Sequence, residues 1–300
     1  MAKKILVGLK TASYQHPFDQ QAFNTLNKVP GLPLLMKKVT EYGIDRLVRM
    51  QIVGGEFRVT QRNFPQLHDA FLETCEILDC APQPELYLFR GTGHIQTYAM
   101  GMEKPAVGVN LEAMEWYSPE ELLFALGHEV ARIKGRYIAY QQIAHVMPLV
   151  KNIINSSTLG LGGLATGGME VALDNWIMMS RFTGDRAGLL TCQDVNVAIT
   201  ALMKLAGLPD DHLNAETIAD FQAQAREFTN INLDSFDQIT KIFSFMERQS
   251  PWAVMRAAEL LKWIDSGEYE KLMQAENSAP PEDTAVNTED AADWNFMSSW

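Results

Sequence analysis

At 300 residues and 33.7 kDa, the chain is long enough for one large domain or two small ones. An apolar fraction of 47% with 21% charged residues excludes a chain that is disordered throughout, and a net charge of −12 excludes a broad phosphate-binding surface and, with it, nucleic acid as the expected partner. Cys75, Cys80 and Cys192 form neither a disulfide framework nor a C-x-x-C metal pair, which points to a reducing compartment, the cytoplasm by default.

The opening MAKKILVGLK has an apolar run too short for a signal-peptide core. Helical spacing follows in Phe23, Leu26 and Val29 and again in Leu34, Leu35, Val39 and Tyr42, with PGLP at 30–33 between the two halves. Next, Val48, Met50 and Ile52 alternate with Arg49 and Gln51, Gly54-Gly55 follows, and Phe57 and Val59 alternate with Arg58 and Thr60. That pattern predicts a strand–turn–strand hairpin. Residues 64–79 return to helical spacing, and residues 85–90 and 96–109 read as further strands of a small, partly exposed sheet.

From Ser118 the pattern is helical almost to Met273. Ser118 reads as an N-cap, Pro119 as the first helical position, and Glu120 and Glu121 sit near the positive end of the helix dipole. The apolar stretch 143–179 is interrupted by Lys151, Asn152, Asn155 and Asp174, which leaves no run of about 18 clean apolar residues for a membrane span. It reads as helix, glycine-rich connection and helix. LGLGGLATGG at 159–168 lacks the G-K-S/T of a phosphate loop. The expected organisation is a domain over 1–273 and an acidic tail over 274–300. The tail holds six carboxylates and no Lys or Arg, and it ends in a cluster of Trp294, Phe296 and Trp300 that suits docking to a partner.

The informative residues lie on the helix after Ser118. A zinc peptidase helix reads H-E-x-x-H, because residues i and i+4 share a face and can ligate one metal while the intervening glutamate polarises the bound water. Here the run is His128-Glu129-Val130-Ala131-Arg132, without the second histidine. SPEELLFALGHEVARIKGRY, DNWIMMSRFTGDRAGLL and RQSPWAVMRAAELLKW, with GMEKPAVGVN before them, nevertheless resemble the HtpX-type zinc metallopeptidases, relatives of the CAAX prenyl endopeptidases, in order and spacing over about residues 14–273.

The resemblance implies an α+β, mostly helical, zincin-like fold with a small sheet and an active-site helix. It matches His128 to the first zinc ligand and Glu129 to the general base, and it puts Arg132 where the second histidine belongs. Asp185 matches the aspartate of an A-D-R-A-G-like run. The glutamate ligand four residues earlier falls on Arg181, Ser250 replaces a histidine before a proline, and Arg256 matches a downstream arginine. By the same resemblance the strand within 96–109, with Gln96, Tyr98 and Met100, is expected to receive extended peptide.

An arginine has no lone pair for a metal, and one about 4 Å from a dication costs on the order of 8 kcal/mol at an effective dielectric of about 20. Catalytic zinc normally has three protein ligands. Arg132 and Arg181 are therefore expected to converge with Glu129 and Asp185 as ion-pair partners, and no cofactor is expected unless the site is rearranged to hold zinc. Three readings follow: a catalytically inactive relative that binds protein or peptide; an active metallopeptidase or hydrolase with a rearranged site using His128 and Glu129; or a binder of small anions.

Overall fold

In the computed structural model, which describes residues 3–135, 137–155, 166–229, 235–245 and 252–275, helices lead into the fold: α1 (Pro17–Leu26), α2 (Leu32–Glu41) and α3 (Ile44–Gly55). A short strand β1 (Phe57–Arg58) and helix α4 (Pro65–Ile77) follow, then β2 (Glu85–Phe89), β3 (Thr97–Met100), β4 (Ala106–Asn110) and α5 (Leu111–Trp116). The rest is helical: α6 (Pro119–Lys134), α7 (Ile138–Asn155), α8 (Thr166–Cys192), α9 (Val195–Leu205), α10 (Ala215–Thr229), α11 (Phe236–Phe245), α12 (Ala253–Asp265) and α13 (Glu268–Gln274). Ser250, Trp294, Phe296 and Trp300 lie outside the described residues.

The four strands form one mixed sheet in the order β1-β2-β4-β3, with β2 and β4 parallel and the outer pairs antiparallel. The fold is thus mostly helical with a small sheet, an α+β zincin-like arrangement. No helix among the described residues is long and apolar enough to cross a membrane.

The expected hairpin over 48–60 is for the most part a helix. Ile44, Val48 and Ile52 are buried at i, i+4 spacing, whereas Met50, which the alternation placed beside Val48 and Ile52, is 62% exposed. Alternation and helical periodicity share Val48 and Ile52. Packing selected the helical face, and Gly54-Gly55 form the last positions of the helix rather than a turn. Only Phe57 and Arg58 remain as strand, opposite Leu88 and Tyr87.

Two apolar clusters share α8. One joins α4, the sheet, α6, α9 and α12; the other joins α1, α2, α3 and α7. Deep in the second, the Asp19 carboxylate of α1 accepts from Trp176 Nε1 (3.0 Å), Thr183 Oγ1 (2.6 Å) and Tyr137 Oη (3.2 Å), so the buried charge that docks α1 on α8 is fully hydrogen-bonded.

Helix α6 begins as its sequence requires. Ser118 accepts from Glu121 N–H (3.2 Å) while Glu121 Oε2 accepts from Ser118 N–H (2.8 Å), a reciprocal capping box. Glu121 Oε2 also accepts from the buried Lys204 Nζ at 2.6 Å, and Lys204 donates to the Trp116 carbonyl at 2.7 Å, which ties α6 to α9. From Glu121 to Ala131 every residue of α6 is buried, so between its first and last turns the helix crosses the core with no solvent face.

Candidate functional site

Helices α6 and α8 set the geometry of the site because they meet closely. A side-chain carbon at Gly184 would lie 2.6 Å from the His128 ring, so only glycine admits the imidazole at that approach. His128 Nδ1 stands 3.0 Å from Asp185 Oδ1. Burial would raise the Asp185 carboxyl, but the Arg256 charge and the hydrogen bonds from Arg256 and His128 outweigh it and hold Asp185 at about 2. An ionised carboxylate only accepts, so His128 Nδ1 carries the proton and Nε2 is the nitrogen left outside the pair. Burial and the charge of Arg132 push His128 below its ordinary value, which keeps the imidazole neutral at pH 7.

Arg256 of α12 completes this arrangement with bonds of 2.8 Å from Nε and 2.5 Å from a terminal nitrogen to the two Asp185 oxygens. Its planar fork matches the carboxylate, and all three side chains are buried. Asp185 therefore pairs with Arg256 and His128 rather than with the substituted arginines, contrary to the sequence expectation. Arg181 and Asp185 lie one turn apart on α8, a spacing that would allow a pair, but Arg256 of α12 reaches both Asp185 oxygens across the helix interface.

Glu129 is buried as well. Thr97 Oγ1 of β3 donates to Glu129 Oε1 at 2.6 Å, and Arg132 approaches Oε2 at 3.3 Å. Thr97 is a partner that sequence reading missed, because nothing in the chain pattern relates residue 97 to residue 129 before the sheet packs on α6. Among the described residues, Arg132 Nε is buried without a hydrogen-bond partner. Burial, with the neighbouring charges of Arg256 and Arg132, lowers the Arg181 guanidinium to about 9, which leaves it protonated at neutral pH.

These groups share one cavity of about 250 Å³, lined by His128, Glu129, Arg132, Arg181 and Arg256 together with Gln96, Thr97, His94 and Tyr117. Arg132 and Arg181 thus converge as expected. His94 lines the same cavity. A larger hollow of about 410 Å³ lies between α9 and α10, but Met203, Ala206, Leu208 and Phe221 line it and it gathers no comparable set of ionisable groups.

The strand beside the cavity needs two corrections. Of residues 96–109, only β3 is an edge strand; β4 is interior, and Pro105 lies between them, its carbonyl bonded to Glu85 N–H. Further, Asn110 N–H donates to the Gln96 carbonyl, and with the register Tyr98↔Gly108 and Met100↔Ala106 this aims the backbone of residues 96, 98 and 100 inward at β4. The outward N–H and C=O groups belong to Thr97 and Ala99. The Tyr98 ring packs over Gly108, where a side-chain carbon would lie 2.1 Å from it, and its hydroxyl bonds Glu56. Met100 packs against the second core cluster. Gln96, Tyr98 and Met100 flank the edge without supplying its outward-facing backbone groups.

The profile of Peptidase family M48 matches residues 61–264, more than half of the chain. The chain belongs to this family. Among M48-type relatives it is 27% identical over 273 residues to the plastoglobule-localized metallopeptidase 48 of Arabidopsis thaliana, covering 90% of this chain and 77% of that protein. It is 31% identical over 175 residues to protease HtpX homolog 2 of Methanosarcina mazei, covering 51% of this chain and 58% of that one. Protease HtpX homolog of Moorella thermoacetica is 30% identical over 148 residues, or 48% of each chain. The chain thus spans about half of the length of these HtpX homologues. No solved structure matches it.

Among the described residues, no group of three or more His, Cys, Asp and Glu side chains could hold a metal ion. His128 offers one nitrogen, Glu129 is engaged by Thr97 and Arg132, and guanidinium groups stand at 132 and 181. These residues do not fit the zinc ion that the family relationship implies.

Proposed function

We propose that this chain is a catalytically inactive M48 relative that acts by binding protein or peptide. The observation that supports this reading is the joint presence of Arg132 and Arg181 with His128 in one cavity, at the positions the HtpX resemblance assigns to the second and third ligands. The rest of the ligand frame persists in the Asp185–His128 pair and the Arg256 clamp. Such a frame holds a peptide groove without holding a metal.

The proposal includes no cofactor, no nucleic-acid partner and a reducing location, taken as cytoplasmic, in keeping with a net charge of −12 and three buried free thiols. The names of its relatives describe peptidases, and one names a plastoglobule; those words are theirs. The tail cluster Trp294, Phe296 and Trp300 is proposed as a second partner-binding element on its composition alone.

Metal analysis of protein purified without chelators, run beside casein cleavage, tests the reading. The expected result is less than a tenth of an equivalent of zinc and no cleavage above a buffer control. One equivalent of zinc lost in His128→Ala, with cleavage lost in Glu129→Gln, would establish a rearranged metallopeptidase instead. Cleavage without zinc that depends on Glu129 would establish a metal-free hydrolase.

A further inference from the structure

Helix α3 is apolar on both sides. Ile44, Val48 and Ile52 turn into the core, and the opposite side carries Leu47, Met50 and Val53 at three-residue steps, followed by Phe57 on the edge strand β1. These four outer side chains are between 48% and 72% exposed. Single apolar residues scattered over a surface are ordinary, but here they repeat at helical spacing along the solvent side of one helix and leave a stripe without a partner among the described residues.

The stripe lies in a stretch where the charge of the chain is reversed. Residues 28–62 hold seven Lys and Arg against three Asp and Glu, whereas the whole chain holds 25 against 37. Nearby carboxylates do not cancel the excess: Lys37 and Lys38 share Glu41, and Arg49 and Arg58 share Glu85. The Asp45 carboxylate accepts from the backbone N–H groups of Met102 and Glu103. Arg46, one turn before Met50 and two before Val53, stands on the stripe itself, exposed and with no ion pair among the described residues.

We propose that the outer face of α3, with Phe57, rests on an anionic lipid surface. The apolar side chains enter the boundary between headgroups and acyl chains, while Arg46 and the flanking cations stay level with the phosphates. Size and charge favour lipid over a second copy of the chain. Four side chains fall well short of the roughly 20–30 residues that each partner gives to a stable protein interface, and a two-fold contact would set this positive stretch against itself. The net charge of −12 does not prevent the contact, because charges farther away than about 8 Å are largely screened at physiological salt. One leaflet suffices, so no spanning helix is needed. The proposal is independent of the cavity and of the function read from it.

The test is co-flotation of the full chain with phosphatidylcholine vesicles, either pure or carrying about 30% phosphatidylglycerol. The chain should bind the anionic vesicles about tenfold more tightly than the neutral ones, and raising the salt from about 0.05 to about 0.5 M should release it. Met50→Glu combined with Phe57→Glu should abolish binding while keeping the melting temperature within about 2 °C, because both side chains are exposed. Arg46→Gln leaves the apolar stripe intact and should weaken binding to the anionic vesicles about fivefold; it serves if the double variant does not fold. Val7→Glu adds the same charge at an exposed site between Leu6 and Leu9, which pack in the other apolar cluster, and should bind like wild type. Binding to neither vesicle, equal binding to both, binding that survives the α3 variants, or equal loss in Val7→Glu overturns the proposal. So does a dimer, seen by analytical ultracentrifugation, that the double variant dissociates, which would make this face a contact between copies of the chain.

Discussion

Substituting Asp185→Asn tests whether the Asp185–Arg256 pair is a structural element of the site. The change is nearly isosteric but removes the carboxylate that, among the described residues, Arg256 contacts directly, and Arg256 is 6% exposed. Breaking a buried pair by removing one partner costs about 3–5 kcal/mol, because the other charge remains buried without compensation. A second route gives a similar size. Asp185 lies at about 2 in the folded chain against an ordinary 3.8, a difference worth about 2.4 kcal/mol at about 1.36 kcal/mol per unit. For a domain of this length each kcal/mol shifts the melting temperature by about 2–4 °C, so a loss of roughly 6–20 °C is expected by calorimetry at pH 7.

The pH dependence has a definite sign. A depressed carboxyl stabilises the fold fully above its unfolded value and loses that contribution as pH falls through the folded one, here between about 4 and 2. The stability difference between wild type and Asp185→Asn should accordingly shrink over that window and stay constant from pH 5 to 7. A melting temperature within about 3 °C of wild type at pH 7, or a gap that does not close in acid, would refute the assignment of Asp185 as an ionised buried partner.

Three further outcomes are expected. Gly184→Ala should destabilise by about 1–3 kcal/mol through overpacking, since its new carbon would meet the His128 ring at 2.6 Å, and the His128 imidazole NMR signals should shift while those of remote His212 do not. Arg132→His combined with Arg181→Glu should restore three ligands and bind about one equivalent of zinc by isothermal calorimetry; a folded double variant with no uptake refutes the alignment of Arg181 with the lost ligand. Deleting residues 287–300 should leave the melting temperature within about 1 °C and abolish binding of a partner that the aromatic tail recruits, whereas a large drop would indicate that Trp294 and Trp300 dock on the chain itself.

Some of this protein was legible in the chain alone. Ser118, Pro119 and Glu121 announced the start of α6 because capping is local chemistry, satisfied by side chains within three residues of the orphan backbone groups. Spacing alone put His128 with Arg132 and Arg181 with Asp185 on one face of a helix each, and the HtpX resemblance supplied the expectation that Arg132 and Arg181 meet, which the shared cavity bears out. Tertiary structure decided what spacing leaves ambiguous. Val48 and Ile52 satisfy both a strand and a helix period, and only their burial beneath an exposed Met50 chose the helix. The partners of the site's charges were likewise beyond the sequence: Asp185 took Arg256, 71 residues away, and Glu129 took Thr97, 32 residues away, because a buried carboxylate bonds to whichever donor packing brings within about 3 Å. Local periodicity sets which side of a helix a residue occupies, while the element packed against that side sets what the residue meets.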